Sequence, residues 1–166
     1  MQEKNHINIF DFDETLFRVP GYTSSEAKGQ QPYEWFDSAD SLDSKFNIRA
    51  ILNTTSLVSN ENGYLITHRV EACRARVLEI LSEAGLIFRE THFLGRGSDK
   101  ATTARKIIAD SGATSVTIFE DSLWEIISYT RHFLESDPSA DVNFVFIDKS
   151  KVITIDWATA VALAQA

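Results

Sequence analysis

Short runs of apolar residues alternate along the chain with longer segments in which apolar residues recur every three or four positions. The first run, residues 7–10, is followed at once by the polar cluster 11–15. A short apolar run that ends in polar residues is typical of a buried strand leading into a loop. We therefore predict that the first regular element is a strand whose end carries several reactive side chains.

The rest of the chain continues this alternation. Further strands are predicted at residues 64–66, 86–88, 92–94, 116–119, 142–147 and 152–155. Helices are predicted from near His68 to Gly85, from about 101 to Gly112, across 123–134 before Asp137-Pro138, and at 157–164. Strands that alternate with helices indicate an α/β fold with a mostly parallel sheet flanked by helices.

Residues 18–62 interrupt this alternation, because small and polar residues are common there and apolar periodicity is weak. The segment nevertheless contains several aromatic residues, among them Trp35 and Phe36. A long irregular segment inside a compact domain is usually functional or disordered. We predict a single domain over residues 1–166 in which 18–62 form a small cap or lid inserted after the first strand. The alternative is that this segment is a surface loop that packs its own aromatic residues.

Polar residues follow three of the predicted strands at the points where the strands end. They are Asp11, Asp13 and Thr15 after the first strand, Thr67 after the strand at 64–66, and Glu120 and Asp121 after the strand at 116–119. Lys100 lies at the start of a predicted helix. Ligands of open α/β sheets bind outside the carboxyl ends of the strands. These side chains are therefore expected to form one site.

The residue types at these strand ends suit phosphoryl transfer. Asp11 and Asp13 repel each other, and a divalent cation or a shared proton would relieve that repulsion. Together with Asp121 they form an oxygen-rich donor set suited to Mg²⁺, which bridges phosphate groups. One carboxylate can attack phosphorus, a second can transfer protons, and hydroxyl and ammonium groups can hold the transferring oxygens. A solvated turn is the alternative interpretation of Asp11 and Asp13.

Four stretches resemble, in order, the motifs of the haloacid dehalogenase-like (HAD) phosphohydrolases. Residues 9–17 contain the D-x-D-x-T core of the first motif, and 65–67 resemble the second, an apolar strand ending in Thr or Ser. Lys100 is similar to the third-motif lysine, and 118–121 match the acidic fourth motif. Within this superfamily, the stretches F-D-F-D-E-T-L-F, L-I-T-H-R, G-L-I-F and I-F-E-D-S look most like the Swiss Army Knife RNA repair-like phosphatase domains.

The resemblance implies a Rossmann-like fold and a magnesium-dependent phosphomonoester hydrolase that works through an aspartyl-phosphate. The resemblance implies that Asp11 is the nucleophile and a metal ligand, and that Asp13 is the general acid/base and binds the metal through its backbone carbonyl. It implies that Asp121 is a further metal ligand, assisted by Glu120 or Glu125. Thr67 and Lys100 would bind the phosphoryl group. The expected substrate is a small phosphomonoester or a terminal nucleic-acid phosphate. The narrower resemblance adds a role in nucleic acid repair.

Several other residues have two interpretations. Thr15, His68 and Arg96 are candidates for substrate binding. His68 is equally explained as an exposed residue at a helix start, and Arg96 as part of a plain glycine-flanked turn. Trp35 and Phe36 could stack on a base, but the simpler interpretation is that they form the core of the cap. Arg69, Arg74 and Arg76 could contact a polyanion, but the simpler interpretation is a solvated helix face. Trp124 and Cys73 are interpreted as packing residues.

Composition excludes several classes of protein. The 166 residues carry 16 basic and 24 acidic side chains, for a net charge of −8, and 43% are hydrophobic, as in ordinary folded domains. The acidic balance argues against extended nonspecific nucleic-acid or membrane binding, although half of the basic residues lie between Thr67 and Lys106 and predict a basic rim for a longer substrate. A single cysteine, the lack of an apolar leader and the lack of a membrane-length apolar run predict a cytoplasmic protein.

A non-enzymatic binding module is the alternative function. A phospho-switched domain akin to a receiver also combines an acidic pocket, a Thr and a Lys on a doubly wound sheet, and a catalytically weak relative would bind a partner through its cap. Receivers place the phosphate-accepting Asp after a middle strand. Here Asp11 and Asp13 follow the first strand and the strand at 64–66 ends in Thr67, which favours the enzyme. The sequence leaves the oligomeric state open.

Overall fold

A six-stranded, mostly parallel sheet with helices on both faces forms the centre of the fold. The structure, a computed structural model, describes residues 5–30 and 32–166. The strands are β1 (His6–Phe10), β2 (Phe17–Arg18), β3 (Arg49–Ala50), β4 (Gly63–Thr67), β5 (Glu90–Phe93), β6 (Ser115–Glu120), β7 (Asp141–Asp148) and β8 (Lys151–Ile155). The α-helices are α1 (Ser25–Lys28), α2 (Pro32–Phe36), α3 (Leu52–Thr55), α4 (Arg74–Glu83), α5 (Lys100–Ser111), α6 (Leu123–Glu135) and α7 (Trp157–Gln165).

The order of strands in the main sheet is β5-β4-β1-β6-β7-β8, and only the β7–β8 pair is antiparallel. Crossover helices place parallel neighbours side by side, as the alternation of elements predicts. The predicted α/β fold with a mostly parallel sheet flanked by helices is confirmed, and it is compatible with a Rossmann-like architecture. The central position of β1 brings the polar loop that follows it between the ends of β4 and β6.

Alternation along the central strands divides the core between the two faces of the sheet. Ile9 and Ile118 face α5, α6 and α7 in one cluster. Phe10 and Phe119 belong to the opposite cluster, together with α4, and their rings stack at 4.5 Å. Successive side chains of a strand point to opposite faces. The residues that follow Phe10 and Phe119 therefore return to the face that carries α5.

Two local predictions between β4 and β5 are wrong. The helix predicted from near His68 begins at Arg74, after a short 3₁₀ turn over Glu71–Cys73. Residues 68–70 are irregular, with a bend at His68 and an extended Val70, and the backbone N–H of Gly95 donates to the Arg69 carbonyl. The strand predicted at 86–88 is not formed, and this stretch leads from the end of α4 into β5.

Residues 18–62 fold into short elements that cover one side of the sheet. Strands β2 and β3 form a two-stranded antiparallel sheet, and Val19, Leu42 and Ile51 pack into the same apolar cluster as Phe10. Trp35 is buried, and its indole N–H donates to the carbonyl of Gly21 at 2.7 Å. Trp35 therefore belongs to the core of this segment. That the segment acts as a cap or lid stays a prediction.

Of the sequence predictions for two further side chains, one is confirmed and the other is wrong. Cys73 is fully buried in the apolar cluster, which confirms its assignment to the core. Trp124 was expected to pack but is 77% exposed, because it lies on the outer side of the first turn of α6.

Within residues 5–30 and 32–166, no helix has both the length and the apolar character needed to cross a membrane. Residues 1–4, part of the stretch from which the lack of a leader is predicted, lie outside the described residues.

Candidate functional site

The ends of β1 and β6 bring three carboxylates together. The two strands pair in parallel with Phe10 opposite Phe119, and the backbone N–H of Asp11 donates to the carbonyl of Phe119. Asp11 and Glu120 are therefore the next pair of neighbours along the two strands, and their side chains lie on the same face of the sheet as those of Ile9 and Ile118. The resulting cluster consists of Asp11, Glu120 and Asp121, whose carboxylate oxygens lie within 4.8 Å of one another.

Lys100 lies against this cluster because α5 packs on the same face of the sheet. Asp99 caps α5 by accepting a hydrogen bond from the backbone of Ala101, which fixes Lys100 as the first residue of the helix. The Lys100 ammonium is 3% exposed and donates to Asp11 Oδ1 at 3.0 Å and to Glu120 Oε1. Burial opposes its charge, but the two carboxylates hold the pKa of Lys100 well above its usual value.

The negative charge of the cluster exceeds the positive charge of Lys100. Burial, followed by the negative charge of Asp11, raises the pKa of Glu120 well above its usual value despite Lys100. The same two causes raise the pKa of Asp121 from 3.8 to about 8. The site therefore favours a bound proton or a bound cation near neutral pH.

The three carboxylates could hold a metal ion that prefers oxygen ligands. Mg²⁺ prefers oxygen ligands at about 2.0–2.1 Å, so opposite ligands lie about 4 Å apart. One oxygen from each of Asp11, Glu120 and Asp121 lies within 4.8 Å of the others, which is close enough for the three to share one cation. No nitrogen or sulfur ligand belongs to this described cluster, which suits a hard cation better than zinc or copper.

The metal-free protein is expected to lose stability as the pH rises from 5 to 8. Since the pKa of Asp121 is about 8 in the folded chain and has its ordinary value of 3.8 in the unfolded chain, the folded chain holds a proton in this window that the unfolded chain has released. Raising the pH therefore lowers the free energy of unfolding. Melting temperatures at pH 5 and pH 8 test this, and added MgCl₂ is expected to raise the pH 8 value more. Equal melting temperatures without metal would contradict it, and Asp121→Asn should weaken the pH dependence.

Asp13 lies beside this cluster but is bound to an arginine. Its carboxylate accepts from Arg69 Nη2 at 2.7 Å and Nε at 3.1 Å, in a two-pronged pair. Asp13 is 6% exposed and Arg69 is fully buried. Burial raises the pKa of Asp13, while Arg69 works in the opposite direction. The Asp13 carboxylate is thus occupied, and any contact of Asp13 with a metal falls to its backbone carbonyl.

Arg69 also disproves one sequence expectation. It was assigned to a solvated helix face, yet it lies before α4 and has no exposed surface. Its Nη1 donates to the Phe36 carbonyl and to Ser41 Oγ, both at 2.6 Å. Its guanidinium lies 4.1 Å from the centre of the Phe36 ring. The residue therefore joins Asp13 to the segment 18–62.

The two threonines lie behind the carboxylates. Thr15 is fully buried and donates to Asp11 Oδ2 at 3.1 Å, which fixes the orientation of that carboxylate. Thr67, also fully buried, accepts from the backbone N–H of Arg69 at 3.1 Å. Neither lines the cavity in front of the carboxylates. Their contact with substrate stays a prediction.

His68 lies at the edge of the cluster and is half-buried. Its Nε2 and the Glu125 carboxylate are 3.0 Å apart, and its Nδ1 lies 3.0 Å from the carbonyl of Gly95. The bond to Glu125 raises the pKa of His68 and lowers that of Glu125. The pair closes one side of the cavity, so Glu125 lies near the metal donor set rather than within it.

The acidic cavity, as we name it, has a volume of about 620 Å³. Asp11, Asp13, Lys100, Glu120 and Asp121 line it, as do His68 and Glu125. Arg18 and Tyr22 also line it and were not singled out as site residues by the sequence, and Phe36 lines it although cap core was the favoured interpretation of that residue. The sequence offered one signal for Arg18: this residue, the second of β2, follows the first motif directly, and so it could have been expected near the site.

The predicted basic rim is not formed around this cavity. Of the basic side chains between Thr67 and Lys106, only Lys100 lines the acidic cavity. Arg96 lies elsewhere, with its guanidinium bound to the Asp37 carboxylate at 2.7 and 3.2 Å. Arg74 pairs with Glu71, and Arg76 with Glu79. These charges are neutralised locally instead of being gathered at the site.

Comparison of the chain with protein-family models, with curated proteins and with solved structures finds no match.

Proposed function

We propose that the chain is a magnesium-dependent phosphomonoester hydrolase of the HAD type, which forms an aspartyl-phosphate at Asp11. The observation that carries the proposal is the cluster of Asp11, Glu120 and Asp121, in which the buried Lys100 binds the first two, on the wall of one cavity. The order of the four motifs along the sequence supports it. In this proposal residues 18–62 serve as the cap.

The carboxylate of Asp11 is suited to nucleophilic attack. Thr15 and Lys100 each hold one of its oxygens, so the side chain has a fixed orientation. An Asp11 oxygen forms a bond to phosphorus while the bond from phosphorus to the leaving oxygen breaks. The ammonium of Lys100 offsets negative charge on the transferring oxygens. Asp11, Asp121 and Glu120 would hold Mg²⁺, which supplies Lewis-acid neutralisation of the phosphoryl charge.

In this proposal Asp13 moves the protons. The leaving oxygen takes a proton from the Asp13 carboxyl and departs as an alcohol. Water then attacks the phosphorus of the aspartyl-phosphate, Asp13 takes one of its protons, and the Asp11 carboxylate leaves, releasing inorganic phosphate. Burial raises the pKa of Asp13 and its pair with Arg69 opposes that rise, so the first step requires the Asp13 carboxyl to release Arg69 as it takes up a proton.

Hydrolysis of para-nitrophenyl phosphate with and without magnesium tests the proposal. Turnover is expected to stop in EDTA and to return on addition of MgCl₂. Full turnover without a divalent cation would contradict the mechanism. A stable phosphorylated protein that never turns over would favour the phospho-switched alternative.

Asp121→Asn is expected to raise the magnesium concentration needed for half-maximal activity by about tenfold or more, because a charged ligand becomes neutral. Turnover at saturating magnesium should fall less. Asp110→Asn is a matched control, since Asp110 is an exposed carboxylate on α5 paired with Lys106, about 15 Å along the helix from Lys100. An unchanged magnesium requirement in Asp121→Asn would remove Asp121 from the metal site.

A further inference from the structure

A second, larger cavity opens beside the acidic cavity. Its volume is about 1200 Å³, and we name it the aromatic cavity after Tyr22, Tyr33 and Phe36, which line it. Tyr22, Thr23, Phe36 and His68 line both cavities, so the two spaces are adjacent. A ligand with its phosphate at Asp11 would therefore extend its other end into the aromatic cavity.

The aromatic side chains of this cavity are held in place by polar contacts. The Arg96 guanidinium lies 4.2 Å from the centre of the Tyr33 ring, and it donates to the Asp37 carboxylate. Tyr22 and Phe36 lie 5.2 Å apart. Tyr33 keeps 61% of its surface exposed, and so it offers an open ring face to a ligand. Fixed aromatic side chains lose little freedom when a flat group stacks on them.

The charge of the aromatic cavity differs from that of the acidic cavity, with Arg96 neutralised by Asp37. Lys28 and Arg96 line it, and none of its lining residues in the described part of the chain is a carboxylate. Most of its remaining surface is apolar or aromatic. The acidic cavity suits a phosphate bridged by a cation, whereas this space suits an apolar group with delocalised electrons.

We propose that the aromatic cavity selects phosphomonoesters whose alcohol carries a planar aromatic ring, with Tyr33 as a stacking platform. The inference rests on the proposed phosphatase function and narrows its substrate class. The ring is stacked in the aromatic cavity while Asp11 reaches the phosphorus. Esters without a ring would leave this cavity filled with water and bind less well.

Two pairs of substrates isolate the contribution of the ring. A nucleoside 5′-monophosphate and ribose 5-phosphate share the same primary leaving oxygen and differ in the base. Benzyl phosphate and cyclohexylmethyl phosphate have similar size and differ in aromaticity. The kcat/KM ratio within each pair is measured with magnesium for the unmodified chain, Tyr33→Ala and Tyr33→Phe. A preference in both pairs identifies any flat ring as the ligand, and a preference in the first pair alone identifies a nucleobase.

We expect the ring-bearing member to be favoured by about tenfold, the scale of stacking on an aromatic side chain. The preference should largely disappear in Tyr33→Ala and persist in Tyr33→Phe, which keeps the ring. Equal kcat/KM values within both pairs, or a preference that survives Tyr33→Ala, would overturn the inference and leave the phosphatase proposal intact. Absence of magnesium-dependent hydrolysis of every ester would overturn the phosphatase proposal, and the inference with it.

Discussion

Replacement of Asp11 by Asn is expected to lower kcat on phosphomonoesters by roughly 10⁴-fold or more, the scale on which removal of a catalytic nucleophile acts. The amide has the shape of the carboxylate but is a much weaker nucleophile toward phosphorus. Its oxygen can still accept the hydrogen bond that Lys100 donates to Asp11 Oδ1. Steady-state kinetics at saturating magnesium measure the loss, and mass spectrometry of acid-quenched protein should detect phosphate on the unmodified chain only.

Stability measurements separate this chemical effect from unfolding. The substitution removes one negative charge from a cluster in which Asp11 helps to raise the pKa of both Glu120 and Asp121. The melting temperature of metal-free Asp11→Asn is therefore expected to be no lower than that of the unmodified chain. Asp110→Asn is the control, because it makes the same carboxylate-to-amide change at an exposed residue outside the cluster. A kcat within about tenfold of the unmodified value in Asp11→Asn would exclude Asp11 as the nucleophile.

The meeting of the carboxylates was predictable because it depends on local patterns. The apolar runs that became β1 and β6 end directly at Asp11 and Glu120. Parallel pairing of these strands then places the polar residues at one edge of the sheet. The position of Lys100 was predictable because it begins α5, a helix that is predicted from the spacing of its apolar residues and from Gly112 at its end. Each step needs only the hydrophobic period and the rule that ligands bind at strand ends.

The partners supplied by the segment 18–62 were not predictable in this way. Arg69 is 56 residues from Asp13, and its contacts to Phe36 and Ser41 span 33 and 28 residues. Helical periodicity places Arg69 on the polar side of a helix, whereas a buried carboxylate and a carbonyl draw it inward. No local pattern announces such a pairing, since it arises from how an irregular segment packs on the sheet. The aromatic cavity was missed for the same reason.

The buried guanidinium of Arg69 is the main link between this segment and the first-motif loop. It binds Asp13 through two nitrogens and binds Phe36 and Ser41 through the third. Burial opposes its charge, but Asp13 holds the pKa of Arg69 above its usual value. All of these contacts are out of solvent, so salt and water screen them weakly. A buried charge that loses its partner costs far more than an exposed one.

Arg69→Met is therefore expected to lower the free energy of unfolding by about 3–5 kcal/mol, because it leaves the Asp13 carboxylate buried without its partner. For a chain of this size, the melting temperature should fall by roughly 10 °C. Arg69→Lys keeps the charge but cannot form the two-pronged pair, so an intermediate loss is expected. Chemical denaturation of both variants measures these changes.

A double-mutant cycle shows whether the loss arises from the pair itself. If the Asp13 carboxylate is the group left unpaired, Asp13→Asn should cost much less in the Arg69→Met background than in the unmodified chain, since no buried charge then remains. Additive losses would place the effect in the contacts of Arg69 with Phe36 and Ser41 instead. A loss below about 1 kcal/mol in Arg69→Met, the range of exposed ion pairs, would contradict a buried linking role for Arg69.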